Sequence, residues 1–88
     1  MLHVWEVAMS PHCQLLVTVA CHLCHDAERV LMPFVEHGLL VEAVDIVELD
    51  GGVQRYGMRI PVLRHLESGR ELDWPFNCDQ IATFLIQD

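Results

Sequence analysis

The chain has 88 residues, 52% of them apolar, which is enough for the core of one small domain. Its formal charge is −8, with 13 aspartates and glutamates set against five arginines and no lysine. Nucleic acids and anionic membranes both need a basic surface, so neither is an expected partner. No apolar run spans a bilayer, because Glu42, Asp45 and Glu48 interrupt the longest one.

Residues 1–13 carry Leu2, Val4, Val7 and Met9 and close on Ser10-Pro11. They read as an N-terminal extension to a domain of residues 14–88. Glu6, the lack of a basic start and the lack of a long apolar stretch argue against a secretory signal, so a reducing cytoplasm is the expected location. Residues 14–19 are aliphatic and β-branched with little alternation, the pattern of a buried central strand. A helix is expected from His22 to His37, since Ala27, Val30, Leu31, Phe34 and Val35 recur at three and four residues. Pro33 is expected to kink that helix or end it early, and Gly38 to stop it. Residues 40–47 read as a second strand, parallel to the first because a helical crossover joins them.

Asp50 is expected to cap a short helix that runs through Tyr56 and ends at Gly57, with Gly51 and Gly52 weakening it. A third strand is expected over residues 59–66, a turn at Ser68-Gly69, and a fourth strand over residues 70–73. Trp74-Pro75-Phe76 ends that hairpin. The last helix starts near Asn77, where Asn77 and Gln80 have the spacing of a capping box, and Ile81, Phe84 and Leu85 form its apolar face.

The chemistry lies in Cys21-His22-Leu23-Cys24. A CxxC pair can cycle between dithiol and disulfide, supply half of a metal site or, with His25 following, carry a covalent haem. Its place between a strand and a helix is that of a redox pair. Cys21 is then the nucleophile, because unpaired N–H groups and the dipole at a helix start favour a thiolate. Cys24, one turn on, is the resolving thiol. The acidic balance disfavours a thiolate, so local help is required; His22 is a candidate for tuning it, and His25 reads as a surface residue. The rival is a metal or iron–sulfur module. Cys13, Cys21, Cys24 and Cys78 count four thiols with His12, His22 and His25 close by, but they do not form two matched CxxC pairs. A non-catalytic interaction domain is the third reading.

The element order β-α-β-α-β-β-α, the CxxC after the first strand and Ile60-Pro61 opening the third together resemble the glutaredoxin form of the thioredoxin fold. Tyr56-Gly57 before Arg59-Ile60-Pro61-Val62-Leu63, and Leu72-Asp73-Trp74-Pro75-Phe76, resemble the small glutaredoxin-like proteins of bacteria. The resemblance covers residues 14–88 and implies an α/β, three-layer, thioredoxin-like fold with a four-stranded mixed sheet. It implies a cis bond before Pro61 and a place for Ile60 beside the cysteine pair, where the N–H and C=O of Ile60 pair with an extended substrate.

The activity implied is thiol–disulfide oxidoreduction by Cys21 and Cys24 on protein or low-molecular-weight disulfides. No bound cofactor or metal is expected; glutathione is a candidate co-substrate. His22, Arg59, Ile60, Pro61 and Asp79 are the candidate substrate-binding residues, with Arg59 the cation expected at the site. Two departures count against glutathione. Phe76-Asn77 replaces the glycine pair that precedes Cys78-Asp79 in the glutaredoxin pattern, and Thr18 occupies the region of a lysine that glutaredoxins often carry.

Overall fold

The structure, a computed structural model, describes residues 11–86. In chain order the elements are β1 (Cys13–Val17), α1 (His22–Glu36), β2 (Val41–Asp45), a 3-10 turn (Ile46–Glu48), α2 (Gly52–Tyr56), β3 (Val62–His65), β4 (Glu71–Asp73) and α3 (Cys78–Ile86). They build a mixed sheet in the order β2-β1-β3-β4. β2 runs parallel to β1, whereas β3 is antiparallel to both β1 and β4.

The sheet divides the core into two layers because successive strand residues face opposite sides. Cys13, Leu15 and Leu63 face α1 and α3 and pack against Ala27, Leu31, Phe76, Ile81 and Phe84. Leu16 and Val62 face the other way, onto Ile46 and Tyr56. The result is the three-layer thioredoxin-like α/β arrangement. No helix among the described residues is long and apolar enough to cross a membrane.

Several boundaries move from their expected places. Cys13 opens β1 and is fully buried, while residues 1–10 of the expected extension lie outside the described residues. β2 stops at Asp45, whose side chain accepts from the Val47 N–H at 3.0 Å and turns the chain into the 3-10 segment. β3 begins only at Val62; the Ile60-Pro61 bond ahead of it is cis, as is Trp74-Pro75.

Pro33 neither ends nor shortens α1, which continues to Glu36. A proline has a helical φ, and the cost here is the one bond it cannot give to the Arg29 carbonyl. Both residues are exposed, so water reaches the freed carbonyl. The helix stops at Gly38 (φ 110°) as expected. The Gly38 N–H donates to Val35 O at 3.0 Å and the Leu39 N–H to Phe34 O at 2.9 Å, a Schellman closure.

Asp50 is not the cap of α2. That position is Gly51, left-handed at φ 66°, with no side-chain bond to the helix. Gly52 follows because the turn is tight: a Cβ there would meet the Ile46 carbonyl oxygen at 2.1 Å. The capping box of α3 forms as read. Asn77 Oδ1 accepts from the Gln80 N–H at 2.8 Å and Gln80 Oε1 accepts from the Asn77 N–H at 2.9 Å.

Candidate functional site

β1 ends at Val17, and Thr18-Val19-Ala20 carry the chain to Cys21. Ala20 adopts a left-handed φ of 56°, costly for a residue with a Cβ, and so turns the chain sharply at this point. Cys21 is the N-cap of α1. Its Sγ accepts from the Cys24 N–H at 3.2 Å, and its carbonyl accepts from the same N–H at 3.1 Å. The thiol therefore takes the place that Ser or Asp usually fills at a helix start. No carboxylate lies in the first turn to oppose negative charge there.

Cys21 and Cys24 stand at disulfide distance, with their Cα atoms 5.3 Å apart. Their surroundings differ. Cys24 is buried at 3% exposure, whereas Cys21 is half-buried. His22 and Leu23 between them are exposed. His25 is also exposed and faces Glu28 at 3.6 Å along the helix; Arg29 pairs with Asp26.

The strand register brings Ile60-Pro61 to the same end of the sheet. Leu16 pairs with Val62 across β1 and β3, so the residues just before Val62 lie beside the exit of β1. The expectation for Ile60 needs correcting by half. Its N–H is already committed to the Tyr56 carbonyl at 3.0 Å. Among the described residues its own carbonyl accepts no backbone hydrogen bond, whereas the Pro61 carbonyl accepts from the Trp74 N–H at 3.1 Å.

Arg59 is not a free cation. Its Nη2 donates to Glu71 Oε1 at 2.8 Å and to Asp73 Oδ1 at 2.7 Å, and its Nε donates to Asp73 Oδ2 at 3.0 Å. These hydrogen bonds, Asp73 first and Glu71 second, push the arginine pKa further up. The bonds from Arg59 hold the Asp73 carboxyl below its ordinary value. Burial alone would raise Glu71, but hydrogen bonds from Tyr56 and Arg59 bring it below the ordinary value. Tyr56 Oη donates to Glu71 Oε2 at 2.6 Å, and that bond, followed by burial, raises the tyrosine pKa. This network is absent from the sequence reading. Its signal was the pair Glu71 and Asp73, two residues apart on one face of β4, opposite the turn that carries Arg59.

Asp79 lies exposed in the first turn of α3. It borders a groove of about 570 Å³ with Arg70, Glu71, Leu72, Gln80, Thr83 and Phe84. Phe76, which stands where the glutaredoxin pattern has glycine, is 4% exposed and packs in the core, with Trp74 edge-on to it at 5.0 Å. Cys78 is an exposed free thiol 3.8 Å from the Val30 carbonyl on α1, and Cys13 is a buried one. Among the described residues no three His, Cys, Asp or Glu side chains gather as a metal site.

Comparison with known proteins places these features in a family. Residues 12–86 match the Glutaredoxin-like domain (DUF836). The X-ray structure of the Northeast Structural Genomics target protein XcR50 from X. campestris is 34% identical at a TM-score of 0.72, over 83% of this chain and 93% of that one. Its solution structure gives 35% identity and a TM-score of 0.70, over 84% and 91%. Protein Ne2328 from Nitrosomonas europaea, 22% identical at a TM-score of 0.71 over 86% and 93%, shares the fold. No curated protein matches the chain. The CxxC pair at a helix start, on a four-stranded mixed sheet between helical layers, is thus set in a chain that belongs to the glutaredoxin-like (DUF836) family.

Proposed function

We propose that this protein is a cytoplasmic thiol–disulfide oxidoreductase acting on protein or low-molecular-weight disulfides. The observation that carries the reading is the asymmetry of the pair. Cys21 caps a helix and is half-buried; its partner, one turn on, is buried at bonding distance. In the reduced protein the Cys24 N–H and the start of α1 favour Cys21 as thiolate. That thiolate attacks the substrate disulfide, forms a mixed disulfide and expels one substrate sulfur as thiolate. Cys24 then loses its proton and attacks the Cys21 sulfur, which closes the internal disulfide and releases the second substrate thiolate. Two electrons pass from the cysteine pair to the substrate, and a thiol reductant returns them to the pair.

The test is mixed-disulfide trapping from cell extract. Cys24→Ser is expected to hold partners through Cys21, while Cys21→Ser holds none. Thiol trapping across a glutathione redox titration is expected to show the Cys21–Cys24 disulfide opening in one two-electron step. A pair that stays dithiol at every accessible potential ends the proposal.

A further inference from the structure

The segment Arg59-Ile60-Pro61 is held from two sides. From α2, the Tyr56 carbonyl accepts both the Arg59 N–H at 2.8 Å and the Ile60 N–H at 3.0 Å. From the end of β4, Asp73 and Glu71 grip the Arg59 guanidinium, and the Trp74 N–H binds the Pro61 carbonyl. The guanidinium also lies 5.1 Å from the centre of the Tyr56 ring, and the Tyr56 hydroxyl closes the circuit on Glu71. One arginine thus faces two carboxylates, which leaves no net positive charge to offer a substrate. The backbone group these contacts leave open is the carbonyl of Ile60.

We propose that Arg59 is a positioning residue and not a substrate contact: clamped by Tyr56, Glu71 and Asp73, it fixes the Ile60 carbonyl as the backbone acceptor for one N–H of an extended disulfide substrate at Cys21. The inference rests on the dithiol reading above. It separates two properties of the site. Thiolate formation at Cys21 is governed by the start of α1, which the clamp does not touch. Seating of an extended chain is governed by the carbonyl, which it does. A bidentate fork between two carboxylates needs the planar guanidinium, and a lysine ammonium cannot replace it.

The experiment uses the full reduced chain and an extended peptide disulfide. Release of the peptide thiol and closure of the Cys21–Cys24 disulfide are followed by mass spectrometry, and in parallel the pH profile of Cys21 alkylation by iodoacetamide is recorded. Arg59→Lys, Arg59→Met and Asp73→Asn are each expected to slow peptide exchange through a higher KM, on the order of tenfold. The alkylation profile is expected to keep its midpoint. Asp73 is half exposed, so Asp73→Asn gives a folded protein even where Arg59→Met does not. Wild-type exchange in Arg59→Lys, or an unchanged rate in Asp73→Asn, overturns the proposal in favour of a simple cation. A shifted alkylation midpoint overturns it in favour of an effect on the thiolate. If wild type releases no peptide thiol and closes no Cys21–Cys24 disulfide, the dithiol reading itself fails. If wild type reacts and the variants match it, only the positioning role fails.

Discussion

Tyr56→Phe removes one oxygen from the network behind the site and leaves the rest of the packing in place. Tyr56 is 1% exposed, and its ring packs with Leu16, Ile46 and Val62 between the guanidinium groups of Arg55 and Arg59. Phenylalanine keeps all of those contacts. What is lost is the 2.6 Å bond to Glu71 and the 3.2 Å bond received from Arg55. A hydrogen bond to a charged group contributes about 1.5–3 kcal/mol, and Glu71 keeps its bond from Arg59, so the lower figure of about 1.5 kcal/mol applies. For a chain of this length that is a fall in Tm of about 8 °C.

The sign with pH follows from the two partners. Glu71 in the folded protein lies below its ordinary 4.5, so its pairing stabilises above that value and is lost as pH falls through the folded one. Tyr56 lies above its ordinary 10.0, so its share is complete below pH 10 and is lost at higher pH. Thermal melts of wild type and Tyr56→Phe at pH 7 and pH 3 read both quantities, with Glu71→Gln and the double variant closing a cycle. The gap is expected in full at pH 7 and narrower in acid once pH has fallen through the folded value of Glu71, where a neutral carboxyl accepts a weaker bond. Melting within 2 °C of wild type at pH 7, or a gap that does not narrow in acid, refutes the reasoning.

Two further outcomes are expected away from the network. Burial raises the Cys13 thiol from an ordinary 9.0 to about 11, which cuts its thiolate population at pH 8 by roughly 100-fold. Timed alkylation with peptide mapping is expected to label Cys78 at once and Cys13 only on unfolding; native labelling of both at one rate contradicts the placement of Cys13 in β1. Gly52→Ala puts a methyl group against the Ile46 carbonyl and the Leu49 side chain, and a loss of about 3 kcal/mol in urea unfolding is expected. A loss below 1 kcal/mol means that the 3-10 turn and α2 are not packed this closely.

What the sequence revealed was chiefly local. The Asn77–Gln80 box, the Gly38 stop and the strand–helix setting of Cys21 depend on residues a few positions apart, and each formed as read. The helix α1 was legible over its whole length, and Pro33 does not end it early; the rule against internal proline weighs a lost bond without the exposure of the residues around it. Asp50 was misplaced for a related reason. Its side chain suits a cap, but the close approach to Ile46 puts glycine at the start of α2. Arg59 was correctly singled out beside Ile60-Pro61, yet its commitments were invisible. They depend on β3 pairing with β4 in the register that sets Arg64 opposite Glu71 and Val62 opposite Asp73. The occupied N–H of Ile60, and a carbonyl that no backbone N–H binds among the described residues, depend in turn on how α2 ends.

The sheet order has a consequence for the protein in a crowded solution. Among the described residues β2 and β4 are its two edges, and an open edge strand invites a strand from another molecule. Here β4 is three residues long and carries Glu71 and Asp73, and β2 carries Glu42 and Asp45. Two such edges meeting would set carboxylate against carboxylate along their length. The acidity of these edges thus opposes a lengthening of the sheet by a second copy of this half-apolar chain.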